Sequence, residues 1–225
     1  MEVEQDMKRR EFLKISGAAA LTGVAGGAVL VHGLRDGVMI IGTGGAGIGV
    51  VRRLIEAGFD PRGFAVIDAD AADLAGSCAV HQIQCGTKDG DGAWVITWED
   101  RMQAEASIIA LLKDASKVVL VAGLSGRMGA KWVFEIAAAG GLAEAHFAAQ
   151  GLKVEVVTTL PMANEGMHRR YAARQLMQAL RRHQVITHVA FNEDEWSSYG
   201  KAGFEKGLPD REHWLANQAL RSALT

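Results

Sequence analysis

Two glycine-rich stretches, with charged side chains between and after them, carry the chemistry open to this sequence. The first is Gly42-Thr-Gly-Gly-Ala-Gly47, directly after the apolar run 38–41. Glycine permits positive φ and lets backbone N–H groups approach a ligand closely. A helix N-terminus adds unsatisfied donors and partial positive charge. The string fits G-x-G-x-x-G between an expected strand and a helix expected from about Ile48, so Gly42, Gly44, Gly45, Ala46 and Gly47 are candidate phosphate contacts. The second stretch, Gly123-Leu-Ser-Gly-Arg-Met-Gly129, follows the apolar run 117–122 and opens another expected helix. Its N–H groups form a second candidate cradle. Asp68 and Asp70 close the short apolar strand 64–67, where an acid accepts hydrogen bonds from ribose hydroxyls in dinucleotide-binding folds. Glu165 and Arg169 stand at i and i+4, on one face of an amphipathic helix expected over 165–182.

Alternating strands and helices must position these groups. Apolar strands are expected at 38–41, 64–67, 80–84, 117–122, 154–158 and 185–191. Helices are expected after the first glycine loop and over 99–112, 132–139 and 165–182, with a last one capped by Asp210 and running toward Leu224. This alternation predicts an α/β fold: a doubly wound, mainly parallel, Rossmann-like sheet with helices on both faces and ligands at the carboxyl ends of the strands. The 225 residues are 49% hydrophobic, ample for a core, and the formal net charge is −2, so no basic field points to nucleic acid. The two cysteines and seven histidines show no zinc-ligand spacing.

Residues 1–36 read separately. Lys8-Arg-Arg-Glu-Phe-Leu-Lys14 precedes a Gly/Ala-rich apolar run, 15–31. The combination resembles a twin-arginine export signal, with Lys8 where a Ser or Thr usually stands and without a clean Ala-x-Ala cleavage site. The segment reads as an export signal or as a membrane anchor. The domain proper is expected over 37–225.

Two families suit the pattern. A NAD(P)-dependent oxidoreductase uses the first glycine loop and Asp68 or Asp70, but leaves the second glycine loop without a role. The nucleotide-binding half of FtsZ and tubulin, the polymerising GTPases, accounts for both loops. The chain resembles that family in Ile41-Gly-Thr-Gly-Gly-Ala-Gly47, in Ile67-Asp-Ala-Asp-Ala-Ala72 and in the shortened Ala122-Gly-Leu-Ser-Gly-Arg-Met-Gly129. The resemblance continues in Val156-Val-Thr-Thr-Leu-Pro-Met-Ala-Asn-Glu-Gly-Met-His-Arg169, in Phe191-Asn-Glu193 and in Ala216-Asn-Gln-Ala-Leu-Arg221.

That resemblance implies GTP or GDP as ligand, with Mg2+ alongside, and self-association into filaments. It implies that both glycine loops hold phosphates, with Ser125 donating its hydroxyl. Arg127 stands where the family has small residues; it reads either as a partner of a terminal phosphate or as a solvated surface arginine. Pro161 shapes the turn before Glu165 and Arg169, which match the ribose-holding pair. Asn192 matches a base contact and His213 the base-stacking position. Asn217 stands where the family usually has an aspartate that reads guanine. The family's hydrolysis-promoting acidic loop follows its central helix, and the sequence reaches Thr225 at or just after that helix. The expectation is therefore a guanine-nucleotide binder with little or no hydrolysis, acting in assembly or membrane remodelling. A cytoplasmic nucleotide beside an export-type signal leaves two routes open: loading before export, or a cytoplasmic domain tethered to the membrane.

Overall fold

The computed structural model describes residues 33–89, 93–138, 140–161, 165–182, 186–190 and 211–225. The twin-arginine motif and the apolar run after it lie outside these residues, as do Asn192 and Asp210. In chain order the elements are β1 (Val38–Thr43), α1 (Gly44–Glu56), β2 (Phe64–Asp68), α2 (Ala71–Gly76), β3 (His81–Gln84), β4 (Thr87–Lys88), β5 (Trp94–Val95) and α3 (Trp98–Leu112). There follow β6 (Lys117–Gly123), α4 (Arg127–Ala137), α5 (Leu142–Phe147), β7 (Lys153–Thr159), α6 (Met167–Arg182), β8 (Ile186–Ala190) and α7 (Arg211–Leu224).

Six strands form one parallel sheet in the order β3-β2-β1-β6-β7-β8, and β4 pairs with β5 apart from it. The expected doubly wound α/β architecture is therefore present. Connections run outward in one direction from β1 and in the other from β6, so the strand order reverses between these two. Residues Val38 to Thr43 pair with Lys117 to Ala122 across that switch point. The crevice outside the carboxyl ends of β1 and β6 is where such sheets bind ligands.

Strand side chains alternate between two cores, as a pleat requires. Ile41, Val118, Leu120 and Val156 pack with α3, α4 and α6 on one face. Ile40, Val119, Val121 and Val157 pack with α1 and α7 on the other. Every residue of β6 is buried, which is why that strand reads as a continuous apolar run. At the opposite end of the sheet from the glycine loops, Lys117 and Glu155 form a buried ion pair at 2.7 Å. The Lys117 ammonium also donates to the Ser222 carbonyl. This clamp fastens the last turn of α7 to β6 and β7, and it places a cation at a helix C-terminus, where the backbone dipole favours one.

α6 starts at Met167 rather than at Glu165, so Glu165 precedes the helix that carries Arg169. Two other boundaries differ from expectation for one reason. α1 starts at Gly44 rather than near Ile48, and α4 at Arg127 rather than at Trp132. Glycine's poor helix propensity argued for later starts. First-turn N–H groups have no intrahelical partner in any helix, so glycine costs little there. Gly44 itself turns the chain at φ +68°. The short α2, α5 and the β4–β5 pair were not anticipated.

Candidate functional site

A cavity of about 290 Å³ opens at the switch point. Three strand-to-helix junctions line it. Thr43, Gly44, Gly45 and Ala46 come from β1–α1; Gly123, Ser125, Gly126, Met128 and Gly129 come from β6–α4; Asp68, Asp70 and Asp73 come from β2–α2, and Trp94 of β5 completes the wall. The two glycine loops touch. The Thr43 hydroxyl donates to the Gly129 carbonyl at 3.2 Å, and a Cβ on Gly44 would lie 2.9 Å from the Gly129 nitrogen.

The expected glycines divide into two kinds. A Cβ on Gly47 would sit 2.3 Å from the Val121 carbonyl oxygen, and one on Gly42 would sit 2.3 Å from that of Gly47. These two let α1 lie tightly on β1 and β6 and do not line the cavity. Gly45 does line it, and a Cβ there would meet nothing within 4 Å. Gly45 is exposed, and a side chain there would extend into open space rather than into packed protein.

Helix capping differs around the cavity. The Asp70 carboxylate caps α2 by accepting the Ala72 and Asp73 N–H groups. Thr97 and Asp100 form a reciprocal capping box on α3. No side chain caps α1, entered through Thr43, or α4, entered through Gly126. These two helices, 13 and 11 residues long, aim uncapped N-termini at one cavity. Their first-turn donors and positive dipole ends make a site for an anion.

The acidic wall is occupied by its own backbone. Asp68 Oδ1 accepts from the Ala69 N–H at 2.6 Å and from the Asp70 N–H at 3.1 Å. Burial pushes the Asp68 carboxyl above the usual carboxylate range; those two N–H groups oppose the shift, and the Asp73 and Asp70 charges add to it. Among the described residues no group of three or more His, Cys, Asp and Glu is placed to hold a metal ion. Burial pushes the Cys85 thiol up to about 12, so it is no nucleophile at neutral pH.

The remaining candidates scatter. Leu124 is buried in the core beneath the second loop. Arg127 is the first residue of α4 and is not part of the cavity wall. Pro161 is buried just beyond β7. Glu165 and Arg169 face each other at 3.7 Å, with side chains 21% and 62% exposed, outside the cavity wall. Asn217, half-buried on α7, has its Oδ1 enclosed without a hydrogen-bond partner among the described residues. His213 belongs to α7, but its side chain lies outside the described residues, as does Asn192. Sequence reasoning missed Thr43, Asp73 and Trp94. Thr43 stood inside the glycine motif and Asp73 in the turn that Asp70 caps; nothing local marked Trp94.

Comparison with solved structures identifies the fold. The fold matches an FtsZ W319Y mutant of M. jannaschii with a TM-score of 0.62 and 22% identity, over 98% of this chain and 60% of that one. The fold is FtsZ/tubulin-like. It also matches, at a TM-score of 0.50 and 13% identity, a GTPγS-form protofilament of Bacillus thuringiensis serovar israelensis TubZ, over 87% of this chain and 56% of that one. In sequence the chain is similar to the cell division protein FtsZ of Methanothermobacter thermautotrophicus, 28% identical over 156 residues, which are 67% of this chain and 39% of that protein. The chain thus spans well under two thirds of the FtsZ it resembles in sequence. No protein-family model matches it.

Proposed function

We propose that the chain is an FtsZ-like guanine-nucleotide-binding protein that hydrolyses GTP slowly or not at all, and that it works by self-association. The single observation carrying this reading is the pair of uncapped helix N-termini, α1 and α4, converging on one cavity while neighbouring α2 and α3 are capped by side chains. Backbone donors converging in this way suit the α- and β-phosphates of a nucleotide. Arg169 would hold the ribose side, with Glu165 accepting from a hydroxyl. The enclosed Asn217 Oδ1, without a partner among the described residues, fits a ligand that brings a donor, as the N1–H and amino edge of guanine does. When bound, the nucleotide supplies the triphosphate and its Mg2+.

Slow turnover follows from the acidic wall. Asp68 and Asp70 each commit Oδ1 to two backbone N–H groups, so Asp68 ties the turn after β2 and Asp70 caps α2, and neither is proposed as a water-activating base. Lost general-base help typically removes 10²–10⁴-fold in rate. Self-association is proposed from the fold shared with a TubZ protofilament. A role in assembly or membrane remodelling, with residues 1–36 as export signal or tether, belongs to the same proposal. Among the described residues no helix is long and apolar enough to cross a membrane.

Calorimetric titration of GDP, GTP, ADP and NADH tests the ligand class. Guanine-nucleotide binding with weak NADH binding is expected; tight NADH binding alone overturns the reading. Phosphate release is expected to stay slow at every protein concentration, and a steep rise with concentration would show subunits completing each other's sites.

A further inference from the structure

Helix α6 concentrates positive charge. Its 16 residues include five arginines and no acidic residue. The chain has no Asp or Glu anywhere from Gly166 to Asn192. With those five arginines set aside from the formal net charge of −2, the rest of the chain stands at −7. Neighbouring helices are built otherwise. Arg101 of α3 pairs with Glu105 and with Glu135 of α4, and Lys131 of α4 pairs with the same Glu135. There, cations are balanced by carboxylates on their own helices; α6 offers none.

The helix is also one-sided. Ala173, Leu176, Met177 and Leu180 hold it to the core. On the outward side Met167, Tyr171, Arg174, Gln178 and Arg181 are exposed, Met167 at 82% and Tyr171 at 66%. They step by four, three, four and three residues, so they form one row along about 21 Å of helix. Arg169, two residues from Met167 and from Tyr171, lies off this row and belongs to the proposed nucleotide site.

The chemistry of the row selects its partner. Guanidinium groups meet phosphate oxygens bidentately. A row on a convex helix holds no folded partner in a groove, but it lies flush against a flat surface. Tyrosine seats at the headgroup level of a bilayer, and Met167 adds apolar surface beside it. A nucleic acid would meet a single basic row on a chain of net negative charge, without a broad field to steer it. An anionic bilayer needs no more than such a row, because each basic residue near the surface adds to attachment and one further signal completes it. Read as a tether, residues 1–36 are that further signal.

We propose that the Met167–Arg181 face of α6 is an attachment surface for anionic phospholipid. It gives the membrane role proposed above a contact within the folded domain, and it does not depend on nucleotide binding.

The test uses the full chain, without nucleotide, on vesicles of phosphatidylcholine alone and of phosphatidylcholine mixed with phosphatidylglycerol. Arg174→Gln with Arg181→Gln should weaken cosedimentation with the anionic vesicles about 25-fold, at roughly fivefold per arginine. Binding to neutral vesicles should not change. Arg52→Gln with Lys153→Gln removes the same charge from exposed positions on α1 and β7 and should alter neither. Equal losses in the two pairs, or no loss in the first, would overturn the proposal. If the first pair instead loses binding to duplex DNA, or loses self-association, with vesicle binding intact, the row belongs to a nucleic acid or to a second copy and the proposal fails. Should the glutamine variants fold poorly, a second readout keeps every arginine. Cys78, the exposed cysteine, is changed to serine, and Tyr171→Cys carries an environment-sensitive dye. Its emission should shift to the blue on anionic vesicles and not on neutral ones; unchanged emission sinks the proposal.

Discussion

At the glycine loops, the groups offered to a ligand are backbone donors at the ends of buried strands; at the Glu165–Arg169 end they are side chains, Arg169 on α6 and Glu165 just before it. The first set cannot rotate. β6 is buried at every residue, and α1 rests on it through a glycine that tolerates no Cβ. The second set depends on rotamers and on where α6 and α7 lie. Arg169 is 62% exposed and must lose rotamer freedom when it engages a ligand. In the proposed site, phosphates would therefore meet a preorganised surface and the nucleoside an adaptable one. Affinity should come mostly from the first end and base selectivity from the second.

The largest expected effect separates two glycines in the preorganised end. Gly47→Ala drives a Cβ to 2.3 Å from the Val121 carbonyl oxygen, so backbone must move. Overpacking on this scale costs about 3 kcal/mol or more, and a melting scan should show Tm lowered by roughly 6–12 °C. Gly45→Val meets no atom within 4 Å, so Tm should change little. GTP affinity should nevertheless fall by about 100-fold, from crowding of roughly 3 kcal/mol where the phosphates would lie. Equal stability losses in the two variants would erase the distinction between packing glycine and ligand-facing glycine.

At the adaptable end the effects should be smaller and confined to binding. Arg169→Ala breaks an exposed i,i+4 ion pair worth about 0.3–0.5 kcal/mol, so Tm should hardly move. If Arg169 bonds the ligand, affinity should drop by about 1.5–3 kcal/mol, or roughly 10–150-fold. Asn217→Asp replaces one acceptor and two donors with two acceptors. The ratio of GTP to ATP affinity should rise about tenfold, some 1.4 kcal/mol. An unchanged ratio would remove Asn217 from the site.

The same division decides what could be read in the sequence. Steric demands at the glycine loops are local, so the glycines of 42–47 and 123–129 announced both loops, and alternating apolar runs announced the sheet. Glycine also misled, because its low propensity hid that α1 begins at Gly44. The proposed nucleoside end rests on long-range contacts. Asn217 is held in place by a helix whose last turn is fastened, through the Ser222 carbonyl, to Lys117, 105 positions away, and no local pattern encodes that. Trp94 entered the cavity wall through a pair of two-residue strands, too short to leave a periodic signal. Glu165 and Arg169 had helical spacing, but only family resemblance, not pattern, linked them to the glycine loops.

The smallest effect probes the acidic wall between the two ends. Burial holds the Asp68 carboxyl above its ordinary pKa, so the folded state binds its proton more readily than the unfolded chain does. Stability from this group is therefore fully present below the unfolded pKa, near 3.9, and is lost as pH rises through the higher folded value. At pH 7 the ionised carboxylate opposes folding. Asp68→Asn removes that penalty while its amide oxygen can still accept the Ala69 and Asp70 N–H groups. Tm at pH 7 should rise by at most a few degrees, and the gain over the parent should shrink as pH approaches 4, as scanning fluorimetry across that range would record. A lower Tm at pH 7 would mean that the charge itself is needed at the entrance to α2. Nucleotide titration of the same variant sharpens the comparison. Tighter GTP binding would show that Asp68 merely repels phosphates, whereas weaker binding only when Mg2+ is present would make it a contact to the metal that accompanies the nucleotide.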